Sequence, residues 1–195
     1  NGDLYIGGSF EGTLAQGSWS ITANQGQSDV FVAKVTGTSQ WASTGGTNAA
    51  DGLADMVINS KNEIMFSALI QGSFTAGSKA VTAGGTVDMV VGGLSTGGSW
   101  DWLLNSGSSD YVIPSSLAVN DSDMLAISGG FGSNSPPAQM NKGTTTINSL
   151  GGWDTFVWVT DPVFQKDADN DGVSDVNDNC PNTSNPAQGN TDGDS

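Results

Sequence analysis

Three stretches of this chain repeat one another at a spacing of roughly 60 residues, and a repeat of that length constrains the fold before any other feature does. DLYIGGSF (Asp3 to Phe10), EIMFSALIQGSF (Glu63 to Phe74) and DMLAISGGF (Asp123 to Phe131) each run through apolar residues to a small-residue step and a Phe. A second motif follows each of them: SDVFVAKV from Ser28, VDMVVGGL from Val87 and WDTFVWVT from Trp153. These place Asp29, Asp88 and Asp154 in register. Ahead of each second motif lies a segment ending in a Gly-rich turn: SITANQGQ, AVTAGGT and TTINSLGG. Trp41 and Trp100 stand at the same distance beyond the aligned Asp, and LADMVIN from Leu53 and SLAVN from Ser116 precede the second and third copies.

Each copy reads as about four short strands punctuated by Gly, Asn and Ser turns. The pairs Phe31/Val32, Val90/Val91 and Phe156/Val157 make one strand of each copy apolar on both faces. A strand of that kind belongs to a sheet packed between two neighbouring sheets. Phe10, Phe74 and Phe131 are expected at equivalent buried positions, as are Phe31, Val90 and Phe156. DLYIGGSF, SDVFVAKV and Trp41 together resemble the β-propeller repeats of bacterial cell-surface proteins, and the resemblance spans about residues 1–160. It departs in the later copies, where GGL replaces the AKV of the first and no Trp follows Asp154 at the matching distance. The fold expected is all-β: repeated four-stranded antiparallel units, propeller-like blades in an incomplete ring or a fragment of a larger one. The first copy lacks its opening strand, and closed propellers use about 4–8 blades. Units short of a ring expose strand edges and apolar faces. They are expected to be completed by more of the same polypeptide or by other copies of it, unless the strands adopt a sandwich or an open stack instead.

The last stretch, DADNDGVSDVNDNCPNTSNPAQGNTDGDS from Asp167, has a different grammar. Ca²⁺ takes six to eight oxygen ligands, and alternating carboxylates with a Gly-permitted turn supply them. Asp167, Asp169 and Asp171 fall at positions 1, 3 and 5 of such a loop, Val173 would offer its carbonyl, and Asp175 and Asp178 fall at positions 9 and 12. Helical periodicity is missing on both sides, so the helices of an EF-hand are not expected. The continuation through Asp178, Asn179, Cys180, Pro181, Asn185, Pro186 and Gln188 resembles the thrombospondin type 3 repeat, in which a chain with little apolar core wraps around bound Ca²⁺. That resemblance implies Asp167, Asp169, Asp171, Asp175 and Asp178 as ligands of a first unit. It also implies Asn190, Asp192 and Asp194 as the start of a second, with Asn190 where the family carries Asp. The family's Cys pairs with a Cys of a neighbouring repeat. Cys180 is the single cysteine here, so its partner is expected in sequence beyond Ser195. Two regions follow: residues 1–162 as strand repeats and 163–195 as a calcium-ordered irregular segment, without which several carboxylates would repel and leave the tail disordered.

Composition narrows the function. Five Lys, no Arg and no His stand against 20 acidic residues, for a formal net charge of −15. Phosphate binding needs basic side chains, so nucleic acid is excluded as a partner. Without His there is no Ser-His-Asp triad, and Glu11 and Glu63 occupy unrelated places in the repeat, so no glycosidase-like carboxylate pair stands out. No apolar run is long enough to span a membrane. The recurrence of Asp29, Asp88 and Asp154 in every copy assigns them a structural role, and Trp41 and Trp100 likewise. Trp19 and Trp102 break the repeat and are the candidates for an exposed binding surface. The expected function is that of a non-enzymatic secreted or cell-surface protein, structural or adhesive, with a calcium-stabilised stalk. Its partners would be other chains of the same protein, cell-surface components or glycans. The alternatives are a carbohydrate-binding module of a larger secreted hydrolase and a subunit of a self-assembling extracellular filament.

Overall fold

The computed structural model describes residues 2–24, 27–134, 137–142, 145–160, 173, 178–180, 182–185 and 187. Every regular element in them is a β-strand. The first unit holds β1 (Tyr5–Phe10), β2 (Thr13–Gln16), β3 (Trp19–Thr22), β4 (Asp29–Lys34) and β5 (Trp41–Gly45). Its sheet runs in the order β1-β4-β5, with β2 and β3 set apart as a hairpin. The second unit holds β6 (Gly52–Ile58), β7 (Ile64–Ile70), β8 (Ser73–Ala76), β9 (Lys79–Thr82), β10 (Asp88–Leu94) and β11 (Trp100–Asn105). Four of these form the sheet β11-β10-β7-β6, and β8 and β9 form the hairpin. The third unit holds β12 (Tyr111–Val119), β13 (Leu125–Gly132), β14 (Gln139–Lys142), β15 (Thr145–Asn148) and β16 (Trp153–Thr160), with the sheet β12-β13-β16 and the hairpin β14-β15. Among the described residues the first sheet has no counterpart of β6 and the third none of β11. All pairings within the sheets are antiparallel, and the described strands close into no barrel.

The repeat is exact enough to be followed in register. Gly8 pairs with Phe31, Ala68 with Val90 and Gly129 with Phe156, so Phe31, Val90 and Phe156 are equivalent, as expected. Val90 and Phe156 are buried, and Phe31 is half-buried. The expected equivalence of Phe10, Phe74 and Phe131 holds for two of the three. Phe10 pairs with Asp29 and Phe131 with Asp154, but the residue paired with Asp88 is Ile70. Phe74 lies farther on, in the hairpin, where its equivalents are Leu14 and Met140. A Gly-Ser-Phe string ends β1 and also opens β8, and the two look alike in sequence although one closes a strand and the other follows a turn. The turns entering β7 and β13 also match. Asn59 Oδ1 accepts bonds from the Lys61 and Glu63 amides, and Asn120 Oδ1 accepts from the Ser122 and Met124 amides. Asn62 and Asp123, each at φ 61°, take the left-handed position that short polar side chains tolerate.

The three sheets stack face to face, and the central sheet is buried on both sides. Because successive side chains on a strand point to opposite faces, β7 divides its residues between two cores. Ile64, Phe66, Ala68 and Ile70 meet Val30 and Val32 of the first sheet. Met65, with Met89, Val91 and Trp102, meets Leu125, Ile127 and Phe156 of the third. Every residue of β10 is buried in consequence.

The second and third hairpins each reach back to the unit before them. Thr75 of β8 and Gly46, just past β5, exchange amide-to-carbonyl bonds of 3.0 Å in both directions. In the next unit the Asn141 amide donates to the Gly107 carbonyl, just past β11, and the Ser109 amide donates to the Gln139 carbonyl. Phe74 and Met140 plug the layers beneath these bridges. Phe74→Ala is therefore expected to cost about 3–5 kcal/mol and to lower the thermal midpoint by roughly 6–20 °C for a domain of this size. Ser78→Ala, in the exposed turn of the same hairpin, should leave the midpoint unchanged. Equal small shifts in differential scanning calorimetry would show that the hairpin is not part of the core.

Candidate metal centre

Most of the expected calcium ligands, Asp167, Asp169, Asp171, Asp175, Asn190, Asp192 and Asp194, lie outside the described residues. Val173 and Asp178 lie within them, Val173 half-buried and Asp178 buried. Asp178 Oδ1 accepts a bond of 2.8 Å from the Cys180 amide two residues on, the turn that Asp side chains build with their own backbone. The Cys180 carbonyl accepts from the Thr183 amide at 2.8 Å, and Asn185 Nδ2 donates to Asn179 Oδ1 at 2.6 Å. Asp178, Asn179, Cys180, Thr183 and Asn185 are thus tied together by polar bonds, and the Cys180 thiol among them is free and exposed. Among the described residues no three acidic, His or Cys side chains gather around one point. The donor set of the tail consists of carboxylates and carbonyls, with no imidazole, and suits a hard cation such as Ca²⁺. Its residues fit that ion in kind, with five carboxylates in the span from Asp167 to Asp178.

The carboxylates of the sheets do different work. Asp88 is fully buried at the start of β10: its Oδ2 accepts from the Gly84 amide at 2.6 Å, and its Oδ1 from Ser106 Oγ at 2.8 Å and the Ser108 amide at 3.0 Å. Asp29 Oδ2 accepts from the Asn24 amide, and Asp154 Oδ2 from the Leu150 amide. In every unit this Asp closes the loop between hairpin and sheet, which is the structural role expected of it. Three further carboxylates were not legible as such in the sequence. Asp55 Oδ2 bridges to the third sheet, accepting from the Leu117 amide at 2.8 Å and Ser116 Oγ at 3.1 Å. It does so where β-bulges interrupt β6 and β12 at matching places. Asp123 binds the Ser60 amide and hydroxyl across the same boundary, and those bonds hold its carboxyl below the ordinary range. Asp51 accepts from the amide and hydroxyl of Thr47.

Asp29 and Asp51 form an unequal pair. Thr47 stands where the second unit has Ser108, whose amide serves Asp88; here the Thr47 amide serves Asp51 instead. Gly45 stands where Ser106 supplies its hydroxyl. Asp29 Oδ1 is left buried without a hydrogen-bond partner among the described residues. Burial pushes Asp51 up to about 6 against the bonds from Thr47 and Gln71, and neighbouring Asp29 adds to the rise. Burial raises Asp29 as well, opposed by the Asn24 amide.

The aromatic candidates divide as well. Trp102, expected on the surface, is only 4% exposed. Its indole lies over Gly93, where a Cβ would come within 2.3 Å of Nε1, so that glycine makes the space that buries it. Trp19 is half-buried on β3. Trp41 packs on Gly98 of the next unit and donates its Nε1 to the Thr96 carbonyl at 3.1 Å, joining two units. The register corrects its expected equivalence with Trp100: Trp41 lies opposite Lys34 as Trp102 lies opposite Gly93, and a bulge sets Trp100 out of step. The exposed ring is that of Trp153, tilted against Tyr111 at 5.8 Å.

A group whose folded pKa exceeds its unfolded value contributes stability that is complete below the unfolded value and lost as pH rises through the folded one. For Asp51 that window runs from about 3.8 to about 6. Between pH 7.5 and pH 5 the protein should gain on the order of 1 kcal/mol in unfolding free energy relative to Asp51→Asn. Chemical denaturation of both proteins at the two pH values measures this, and parallel pH profiles would contradict it.

Residues 163–188 match the family model of the thrombospondin type 3 repeat. Repeats of this family are non-enzymatic, calcium-binding and found in extracellular proteins. A search of curated proteins finds no match to the chain. Among the described residues no helix is long and apolar enough to cross a membrane. The family match begins at Val163, directly after the stacked sheets, and covers none of them.

Proposed function

We propose that this chain is a non-enzymatic structural or adhesive protein of the cell surface or extracellular space, in which propeller-like sheets over residues 1–162 are joined to a calcium-ordered stalk over residues 163–195. The observation that carries the reading is the spacing DxDxDG..D..DNCP from Asp167, reinforced by the family match that starts at Val163. Asp167, Asp169, Asp171, Asp175 and Asp178 would hold the first Ca²⁺ with the Val173 carbonyl, and Asn190, Asp192 and Asp194 would open a second unit. Bound Ca²⁺ would neutralise carboxylates that otherwise repel and so tie the segment together. The Asp178–Cys180 turn sets the chain direction at the end of the first loop. The sheets support a scaffold role, because their buried carboxylates are spent on loop closure and on joints between units.

Titration of the whole chain with Ca²⁺ in a calorimeter is expected to give saturable binding in the range of extracellular calcium modules, about 10⁻⁴–10⁻³ M. Asp169→Ala combined with Asp171→Ala should abolish that heat and leave the thermal unfolding of the sheets in place. Binding that persists in the double variant would remove Asp169 and Asp171 from the site, and no saturable heat at millimolar Ca²⁺ would end the calcium reading.

A second reading, glycan binding, has one observation in its favour: the exposed Trp153 ring beside Tyr111. Aromatic faces of this kind stack on sugars. A glycan array probed with the protein and with Trp153→Ala separates this reading from the first, which expects no signal that depends on Trp153.

A further inference from the structure

The two joints inside the molecule are the same joint made twice. In each, the front of one sheet, set by the residues one and three places after the aligned Asp, packs on the back of the next. Val30 and Val32 present the front of the first sheet, Met89 and Val91 that of the second, and all four are fully buried. The third sheet continues the pattern with Thr155, Val157 and Val159, but Val157 is 74% exposed and Val159 50%.

The back of the first sheet is the complementary case. The second and third sheets bury Ile64 and Phe66, and Leu125 and Ile127, at two successive back positions of the inner strand. Leu4 and Ile6 hold the same positions in the first sheet and are 55% and 37% exposed. The hairpin tells the same story. β8 and β14 are each bonded to the preceding unit, and Phe74 and Met140 beneath them are buried. Leu14, their equivalent in β2, is half-exposed, and the backbone of Ala15, the equivalent of Thr75 and Asn141, has no preceding unit to bond among the described residues.

We propose that the chain associates head to tail with a second copy of itself, the back of the first sheet and the β2-β3 hairpin of one copy docking on the front of the third sheet of the other. The contact continues the interface that already joins the first sheet to the second and the second to the third. It uses a different surface on each partner, so it is heterologous and propagates into a ring or an open filament rather than stopping at a symmetric dimer. It extends the structural role proposed above by naming the partner, but it rests on residues 4–159 and not on calcium.

The test is sedimentation velocity on the full chain, from micromolar to hundreds of micromolar, in reductant to keep Cys180 from cross-linking, with chelator in one arm and Ca²⁺ in the other. Species larger than one chain should grow with concentration in both arms. Val157→Lys and Ile6→Lys, both at exposed positions, should each weaken association at least tenfold while circular dichroism and the unfolding midpoint stay as in the parent. Thr155→Lys on the same front face provides a second variant should Val157→Lys fail to fold. Mixing Val157→Lys with Ile6→Lys should restore a dimer and nothing larger, because each variant retains the one surface the other has lost. A monomer across the whole range overturns the proposal, as do multimers indifferent to the substitutions. Multimers that form only with Ca²⁺ assign assembly to the tail: that outcome overturns this proposal while supporting the calcium reading. Calcium binding that fails while head-to-tail association persists does the reverse.

Discussion

Burial of the central sheet on both faces is the constraint on which the rest of the structure depends. β7 and β10 have no solvent side, so their sequences must be apolar at nearly every position, and the two flanking sheets must each supply a matching face. Each joint then needs small residues where rings pass close. Phe66 fits because Gly92 opposes it, where a Cβ would come within 2.4 Å of the ring, and Trp102 fits because of Gly93. The glycines in VDMVVGGL are thus part of the packing and not a turn.

Several polar groups at these joints are satisfied across the boundary between units. Where bulges break β6 and β12, Asp55 of one unit answers the Leu117 amide of the next; in the opposite direction Asp123, in the turn before β13, answers the Ser60 amide in the turn before β7. The bulges free backbone amides that the ladder would otherwise use, and a buried unpaired amide would be costly. The apolar layers set which faces meet, while these bonds and the hairpin bridges fix the offset between them. Asp29 Oδ1, Ser67 Oγ and Ser108 Oγ are exceptions among the described residues, buried without a partner; for Asp29 the hydroxyl and the second amide that serve Asp88 are absent or diverted in the first unit.

Much of this was legible in the sequence. The repeat, the strand that is apolar on both faces, and the shared roles of Asp29, Asp88 and Asp154 all follow from spacing, because the period of two and the turn residues are local properties. What was hidden depended on tertiary context. Phe74 aligns with Phe10 and Phe131 in sequence but not in structure because one tripeptide serves two environments, and the burial of Trp102 is hidden because it depends on Gly93 on the paired strand. Asp51, Asp55 and Asp123 carry no local signature, since a buried carboxylate and a surface one are the same letter. In the tail the position was reversed: the ligand pattern was plain in the sequence, and of its carboxylates the structure describes Asp178.

The way the buried carboxylates are held has a consequence for how the two regions respond to salt. Asp51 and Asp88 are bound by amides and hydroxyls, partners whose attraction is short-ranged and shielded from the solvent. Mobile ions screen interactions between exposed charges over about 8–10 Å and reach such bonds poorly. The stacked sheets should therefore hold their cohesion from dilute buffer to brine. The acidic tail, with its seven aspartates, senses every change in the ionic atmosphere. One polypeptide thus joins a body whose buried bonds salt reaches poorly to an acidic extension whose charges salt screens directly.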